Sequence, residues 1–136
     1  MKGFNPYLNF NGSCREALEF YKDCFNGEIA QMTTFGDSQM GETEKEKSMI
    51  MHSVFKAGSI FFMASDSMPN QPVQSGSNVT LNIDFQETAD QKKVFDKLAS
   101  GGKVTMPLQD TFWGARFGML TDKFGINWMT NCELKK

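Results

Sequence analysis

The sequence predicts an α+β fold of two βαβββ modules with two curved sheets. Three observations lead there. Two amphipathic helical stripes each follow a capping-box pattern, short apolar runs of strand length come after each helix, and the whole arrangement recurs at a spacing of about 75 residues. A chain of 136 residues has room for one domain, or for two half-size units sharing a core. With 40% hydrophobic residues, 22% charged residues and 13 Phe, it carries enough apolar surface to offset the entropy of ordering.

The first module opens with the strand Leu8-Asn9-Phe10. Ser13-x-x-Glu16 then reads as a capping box, and Cys14, Ala17, Leu18, Tyr21 and Phe25 form the apolar stripe of a helix that Asn26-Gly27 stops. Strands follow at about 28–35, 48–56 and 59–66, with Lys56-Ala57-Gly58 as the tight turn between the last two. The polar segment Gly36–Lys47 has no apolar periodicity and reads as a mobile loop. In the second module Leu81-Asn82-Ile83 precedes a helix with the box Thr88-x-x-Gln91, the stripe Val94, Phe95 and Leu98, and the stop Gly101-Gly102. Strands at about 103–108, 115–121 and 126–132 complete it, the last two joined by a turn at Asp122-Lys123-Phe124-Gly125. The two boxes lie 75 residues apart, as do Gly27 and Gly102, whereas Leu8 and Leu81 lie 73 apart. A two-residue insertion ahead of the second helix reconciles these offsets. The modules span about 4–66 and 78–132 within a single domain, and Ser67–Ser77, rich in Pro, Ser and Gln, is an exposed linker between them.

Composition excludes several classes of function. Fourteen Lys+Arg against 16 Asp+Glu give a net charge of −2, and no basic run exists to hold nucleic acid or an anionic membrane. The longest apolar stretch, Ile60–Ala64, is far short of the roughly 20 residues that span a bilayer. The first residues contain no apolar signal region. The three cysteines, Cys14, Cys24 and Cys132, have no CxxC spacing, and the first two would sit about 15 Å apart on one helix, too far to bridge. These features predict a soluble cytoplasmic protein whose thiols are buried and reduced.

Among polar residues, His52 is the single histidine and therefore the default acid/base or orienting group. Strand alternation puts it on one face with Ile50 and Val54, a setting that also suits a hydrogen-bonded structural histidine. Arg116 stands among Phe112, Trp113 and Phe117, where its guanidinium could grip a carboxylate or phosphonate, stack on Trp113, or form a salt bridge. Asp66 and Asp122 end strands and read as turn or cap residues. Asn9 and Asn82 are repeat-related polar residues inside apolar strands. Glu42, Glu44 and Glu46 alternate with Thr43, Lys45 and Lys47 as a solvated loop. No Ser-His-Asp arrangement is recognisable.

The string Pro6-Tyr7-Leu8-Asn9-Phe10-Asn11-Gly12-Ser13-x-x-Glu16-Ala17-Leu18-Glu19-Phe20-Tyr21 resembles the opening of PhnB-like proteins. So do Met51-His52-Ser53, Ile60-Phe61-Phe62-Met63-Ala64-Ser65-Asp66, the stretch Phe112–Gly118 and the closing Asp122-Lys123-Phe124-Gly125-Ile126-Asn127-Trp128, although Pro is commoner than Lys at position 123. These proteins belong to the glyoxalase/bleomycin-resistance/dioxygenase (vicinal oxygen chelate) superfamily. The resemblance covers residues from about 4 to 132 and implies paired βαβββ modules around a cupped cavity, usually in a homodimer.

In metalloenzymes of that superfamily His and Glu side chains hold a divalent ion, one each from the first and last strands of the modules. Matching the pattern places those positions near Pro6, Phe62 or Met63, Asn78 or Val79, and Met129, none of which is His, Glu or Asp. Such an ion wants imidazole and carboxylate ligands, so the resemblance comes without a metal and without a cofactor. Met63, Val79 and Met129, with Phe10 and Trp128 nearby, instead suggest a soft apolar cup, in a chain with ten Met. The ligand-binding set expected is Phe10, His52, Met63, Trp113, Arg116 and Met129. Some relatives carry a 3-demethylubiquinone methyltransferase label, yet here Asn11-Gly12-Ser13 offers one glycine and no doubly wound β-α alternation. Two readings remain: a homodimer that binds an unidentified small molecule, and a metal-independent lyase, isomerase or transferase with His52 as acid/base and Arg116 as anion anchor. A purely structural dimer module would lack a ligand-sized pocket.

Overall fold

The computed structural model describes residues 1–135, which form two compact units, the first covering Met1–Gln74 and the second beginning at Ser75. In the first unit, β1 (Tyr7–Phe10) leads into α1 (Cys14–Phe25), followed by β2 (Glu28–Thr34), the short α2 (Glu44–Ser48), β3 (Ile50–Ala57) and β4 (Ile60–Asp66). The second runs β5 (Leu81–Phe85), α3 (Thr88–Ala99), β6 (Lys103–Asp110), β7 (Ala115–Thr121) and β8 (Asn127–Glu133). Each unit is one open four-stranded mixed sheet, ordered β1-β4-β3-β2 or β5-β8-β7-β6. The first and last strands pair in parallel, and the other pairs are antiparallel. The α+β class and the βαβββ order are therefore as the sequence predicts.

Alternation decides what each sheet buries. Leu8, Phe10, Ser53, Phe55, Phe62 and Ala64 are buried together with the α1 residues Cys14, Ala17, Leu18, Tyr21 and Cys24. Phe55 stacks on Phe62 at 4.8 Å between centroids, and Tyr21 meets Phe62 edge-on at 5.7 Å. In the second unit Phe95 and Leu98 of α3 are buried with Leu120 and Trp128 of the sheet. One helix thus covers one face of each sheet. The hydrophobic core of each unit lies in that layer.

The register corrects the internal alignment. Leu8 pairs with Ala64, which pairs with Ser53, while Ile83 pairs with Thr130, which pairs with Gly118. Gly27 abuts Lys56 as Gly102 abuts Thr121, which sets Ser53 equivalent to Gly118 and so Leu8 equivalent to Ile83 rather than to Leu81, at the 75-residue spacing of the glycines. No insertion is needed. The apparent match of Leu-Asn pairs arose because a two-residue shift preserves strand alternation. The two glycines are equivalent in space as well as in sequence. A Cβ at Gly27 would meet the Lys56 carbonyl oxygen at 2.7 Å, and one at Gly102 would meet the Thr121 carbonyl oxygen.

Neither capping box forms. The Ser13 side chain makes no cap hydrogen bond. Instead the buried Asp66 carboxylate at the end of β4 accepts from the Gly12 and Cys14 backbone N–H groups through Oδ1, both at 2.9 Å, and from that of Ile50 through Oδ2 at 2.9 Å. Gln91 points into the layer beneath α3, where its Nε2 donates to the Arg116 carbonyl at 3.0 Å and to Thr130 Oγ1 at 3.1 Å. Asp66 thus holds N–H groups flanking Ser13, and Thr130 takes the Gln91 side chain that a local box would turn back on the helix start. Asp122 fills the strand-end role expected of it. It accepts from the backbone N–H of Phe124 and Ile126 and from Trp128 Nε1 at 2.8 Å.

Three smaller expectations change. The β3–β4 turn is Gly58-Ser59, with Ala57 paired to Ile60 and Gly58 at φ +58°, because only glycine takes the first position of that two-residue turn without strain. Thr33 pairs with His52 but Thr34 with Ile50, leaving Met51 as a bulge, so Ile50 is fully buried and does not share the half-buried setting of His52 and Val54. The segment Gly36–Lys47 is structured: a 3₁₀ turn at Gly36–Ser38 precedes α2, whose cap is Thr43 accepting from the Glu46 backbone N–H. Thr34 and Asp37 hydrogen-bond reciprocally, which holds the Asp37 carboxyl below its usual range. The linker is tethered at both ends. Asn11 exchanges two 2.8 Å hydrogen bonds with the Val73 backbone, and Asn127 donates to the Gly76 carbonyl.

Candidate functional site

The face of the first sheet opposite α1 follows from strand parity. Tyr7 and Asn9 alternate with buried Leu8 and Phe10; His52 and Val54 alternate with Ser53 and Phe55; Met63 and Ser65 alternate with Phe62 and Ala64. Tyr7 reaches over β4 from β1 to β3, where its hydroxyl meets His52 Nδ1 at 3.0 Å and the rings lie 5.8 Å apart. Met63 pairs with Tyr7 on one side and Val54 on the other. Thr33 pairs with His52. His52 is half-buried, and its Nε2 has no partner among the described residues. The face that α1 leaves uncovered therefore carries one polar dyad set beside half-buried apolar side chains.

The six residues expected to bind ligand separate. Phe10, His52 and Met63 belong to the first unit, and Trp113, Arg116 and Met129 to the second. His52 and Met63 share the uncovered face. Phe10 does not: at 2% exposure it packs beneath α1 with Leu8, because parity gives the open face to Asn9. Trp128 is likewise a core residue, bonded to Asp122. Met129, half-buried, alternates with Trp128 and Thr130 and pairs with Met119 on the face of the second sheet opposite α3. Trp113 lies in the β6–β7 turn, edge-on to Phe112 at 5.1 Å and to Phe117 at 5.9 Å.

Arg116 forms an ion pair rather than an aromatic stack. Its Nε donates to Asp110 Oδ1 at 2.8 Å, across the β6–β7 pair in which the two residues are register partners. The hydrogen bond and charge of Asp110 hold the guanidinium even more firmly protonated than usual. With Lys92, Phe95, Leu108 and Asp110 it lines a groove of about 600 Å³ between α3 and β6. Arg116 thus lies on the helix side of the second sheet, and Met129 on the other side.

Cys14 is not a nucleophile. Burial, and then the negative charge of Asp66, push its thiol up to about 12. No group of three or more His, Cys, Asp or Glu among the described residues could hold a metal ion. With the corrected register, the equivalent of Pro6 is Leu81, not Asn78 or Val79, and that of Met63 is Met129. None of these four side chains is an imidazole or a carboxylate, so they do not fit a divalent cation.

Sequence reasoning missed two partners, Tyr7 for His52 and Asp110 for Arg116. The signal for Tyr7 was its parity with Asn9, opposite Leu8 and Phe10. Asp110 gave no such signal, because the pairing depends on the β6–β7 register, which shifts twice along the strands.

Residues 3–130 match the family model of the Glyoxalase/Bleomycin resistance protein/Dioxygenase superfamily. The chain belongs to that superfamily. Protein YjdN of Escherichia coli is 34% identical over 93% of this chain and 92% of its own length. A Pseudomonas aeruginosa protein of known crystal structure superposes with a TM-score of 0.87 at 41% identity, covering 99% of this chain and all of that one. A Bacillus cereus structure described as a putative 3-demethylubiquinone-9 3-methyltransferase, PhnB protein, gives a TM-score of 0.82 at 26% identity, covering 96% and 99%. The chain thus has PhnB-like neighbours along nearly its whole length.

Proposed function

We propose that this superfamily member binds a small, partly apolar molecule on the uncovered face of its first sheet, within a cup completed in a homodimer and without a metal. The observation that carries this is the Tyr7–His52 pair: a hydrogen-bonded polar dyad on a sheet face that α1 does not cover, flanked by Val54 and Met63. A few placed polar groups in an apolar surround are how small-molecule sites are built. The donor set at the superfamily's metal positions supports a site that works by hydrogen bonding and apolar contact. No helix among the described residues is long and apolar enough to cross a membrane. Three buried thiols suit a reducing cytoplasm, and a chain without a basic run suits neither nucleic acid nor membrane as partner.

The dyad also favours a second reading, in which His52 acts as acid/base in a metal-independent lyase, isomerase or transferase. Arg116 is a poor anion anchor for it, since Asp110 already answers its charge. Native mass spectrometry of the purified protein tests the main reading. A species at twice the 15.3 kDa chain mass, carrying a co-purified small molecule and no divalent metal, is expected. Stoichiometric zinc, nickel or manganese overturns the metal-free site. His52→Gln separates the two readings: binding survives in both, and any turnover is abolished in the second alone.

A further inference from the structure

We propose that Tyr7 holds His52 as its Nε2–H tautomer, so that the uncovered face selects a ligand presenting an acceptor oxygen, a carboxylate or carbonyl, on an apolar body. The proposal rests on the binding reading above and names its ligand class. A phenol O–H is a stronger donor than a neutral imidazole N–H, and an imidazole nitrogen is a stronger acceptor than a phenol oxygen. The 3.0 Å contact is therefore O–H···Nδ1, with the lone pair of Nδ1 occupied. The ring proton must then reside on Nε2, the nitrogen with no partner among the described residues. Tyr7 has no other hydrogen bond there that would draw its proton away. A neutral Nε2–H can only donate, and a ligand that itself offers only donors leaves it unsatisfied.

The surroundings set the rest of the ligand. Val54 and Met63 flank the dyad with apolar surface, and Thr33 stands opposite His52 in register with a hydroxyl able to add a second donor. No carboxylate of the described residues contacts His52, so nothing on the chain competes for Nε2–H. Tyr7 is in this account a positioning residue, since it acts through the imidazole.

The chain contains one histidine, so a long-range ¹H–¹⁵N correlation spectrum at about pH 8, above the ordinary imidazole pKa of roughly 6.5, reads this ring alone. A bare Nδ1 and a protonated Nε2 are expected in the native protein, with a Nδ1–H fraction appearing in Tyr7→Phe. A predominant Nδ1–H form in the native protein overturns the proposal. Benzoate and benzamidine, nearly isosteric probes that offer only acceptors and only donors, test the ligand class. Benzoate should move the His52 ring signals. Its affinity should fall about tenfold in His52→Phe and hold in His52→Gln, whose amide N–H keeps a donor. Preference for benzamidine at unchanged tautomer overturns the ligand class while leaving the binding face intact. If neither probe perturbs Tyr7, His52, Val54 or Met63, the binding face itself is wrong and the proposal falls with it.

Discussion

Asp66 is the residue whose removal should be felt most. Its carboxylate satisfies three backbone donors, from Gly12, Cys14 and Ile50, in a site 4% exposed. Replacing it with Ala leaves those N–H groups without an acceptor, and a loss of about 3 kcal/mol is expected by urea denaturation. Asp66→Asn should lose less, because one oxygen remains to accept. The neighbouring Cys14 gives a pH signature. Its thiol titrates near 9 when unfolded and is raised to about 12 in the fold, so the native state holds the proton more tightly. The corresponding stability is complete below pH 9 and is lost as pH rises toward 12. Thermal melts of Cys14→Ala between pH 8.5 and 10.5 should accordingly show a shallower decline than those of the native chain. In the native protein at neutral pH, Cys14 should also resist alkylation until the chain unfolds.

At the scale of elements, the close approach of helix ends to sheets makes the paired glycines indispensable. Gly27→Ala brings a methyl group within 2.7 Å of a backbone oxygen, and Gly102→Ala meets backbone on β7 in the same way. Each substitution should cost about 1–3 kcal/mol, measured separately by denaturant unfolding. Thr43→Ala removes the cap of α2 and should cost about 1 kcal/mol locally, seen as faster amide exchange over residues 44–48 with the rest of the chain unaffected. Element type was legible for the two long helices, which carry apolar stripes, and for the strands, which carry their parity, but not for α2, which has no buried residue to mark it. Caps were not. Ser13-x-x-Glu16 and Thr88-x-x-Gln91 have the local pattern, but Asp66 binds the Gly12 and Cys14 N–H groups on either side of Ser13, and Thr130 takes the side chain of Gln91. Such competition comes from residues 52 and 39 positions away, outside any local window.

For the molecule as a whole, the duplication was visible in Gly27 and Gly102, while its register was not, since a two-residue slip leaves every side chain on the same face. The candidate site was half legible. His52 stood out as the single histidine, and Met63 by its place on the last strand of the first unit. Phe10 was misplaced because its neighbour Asn9 takes the open face, and Arg116 because its partner emerges only from strand pairing. The corrected register also shows that the copies have diverged. Phe117 occupies the position equivalent to His52, and Asn82 the position equivalent to Tyr7, so the second unit repeats the framework without the dyad. Asparagine and phenylalanine exchanged into the first unit, as Tyr7→Asn with His52→Phe, should leave thermal stability within about 1 kcal/mol and weaken benzoate binding about tenfold, no more than His52→Phe alone.

The parallel pairing of β1 with β4 bears on how the chain is made. Tyr7 emerges from the ribosome early, yet its strand partner Met63 is among the last residues of the first unit to follow. The hairpin of β3 and β4 closes over two residues and forms quickly, whereas β1 must wait for the slowest loop closure in its unit. The strand synthesised first is the strand docked last. During that interval Leu8 and Phe10 stay exposed, and the His52 imidazole has no phenol beside it. Formation of the Tyr7–His52 hydrogen bond therefore waits on closure of the unit, and a nascent chain can make it only when β4 is out.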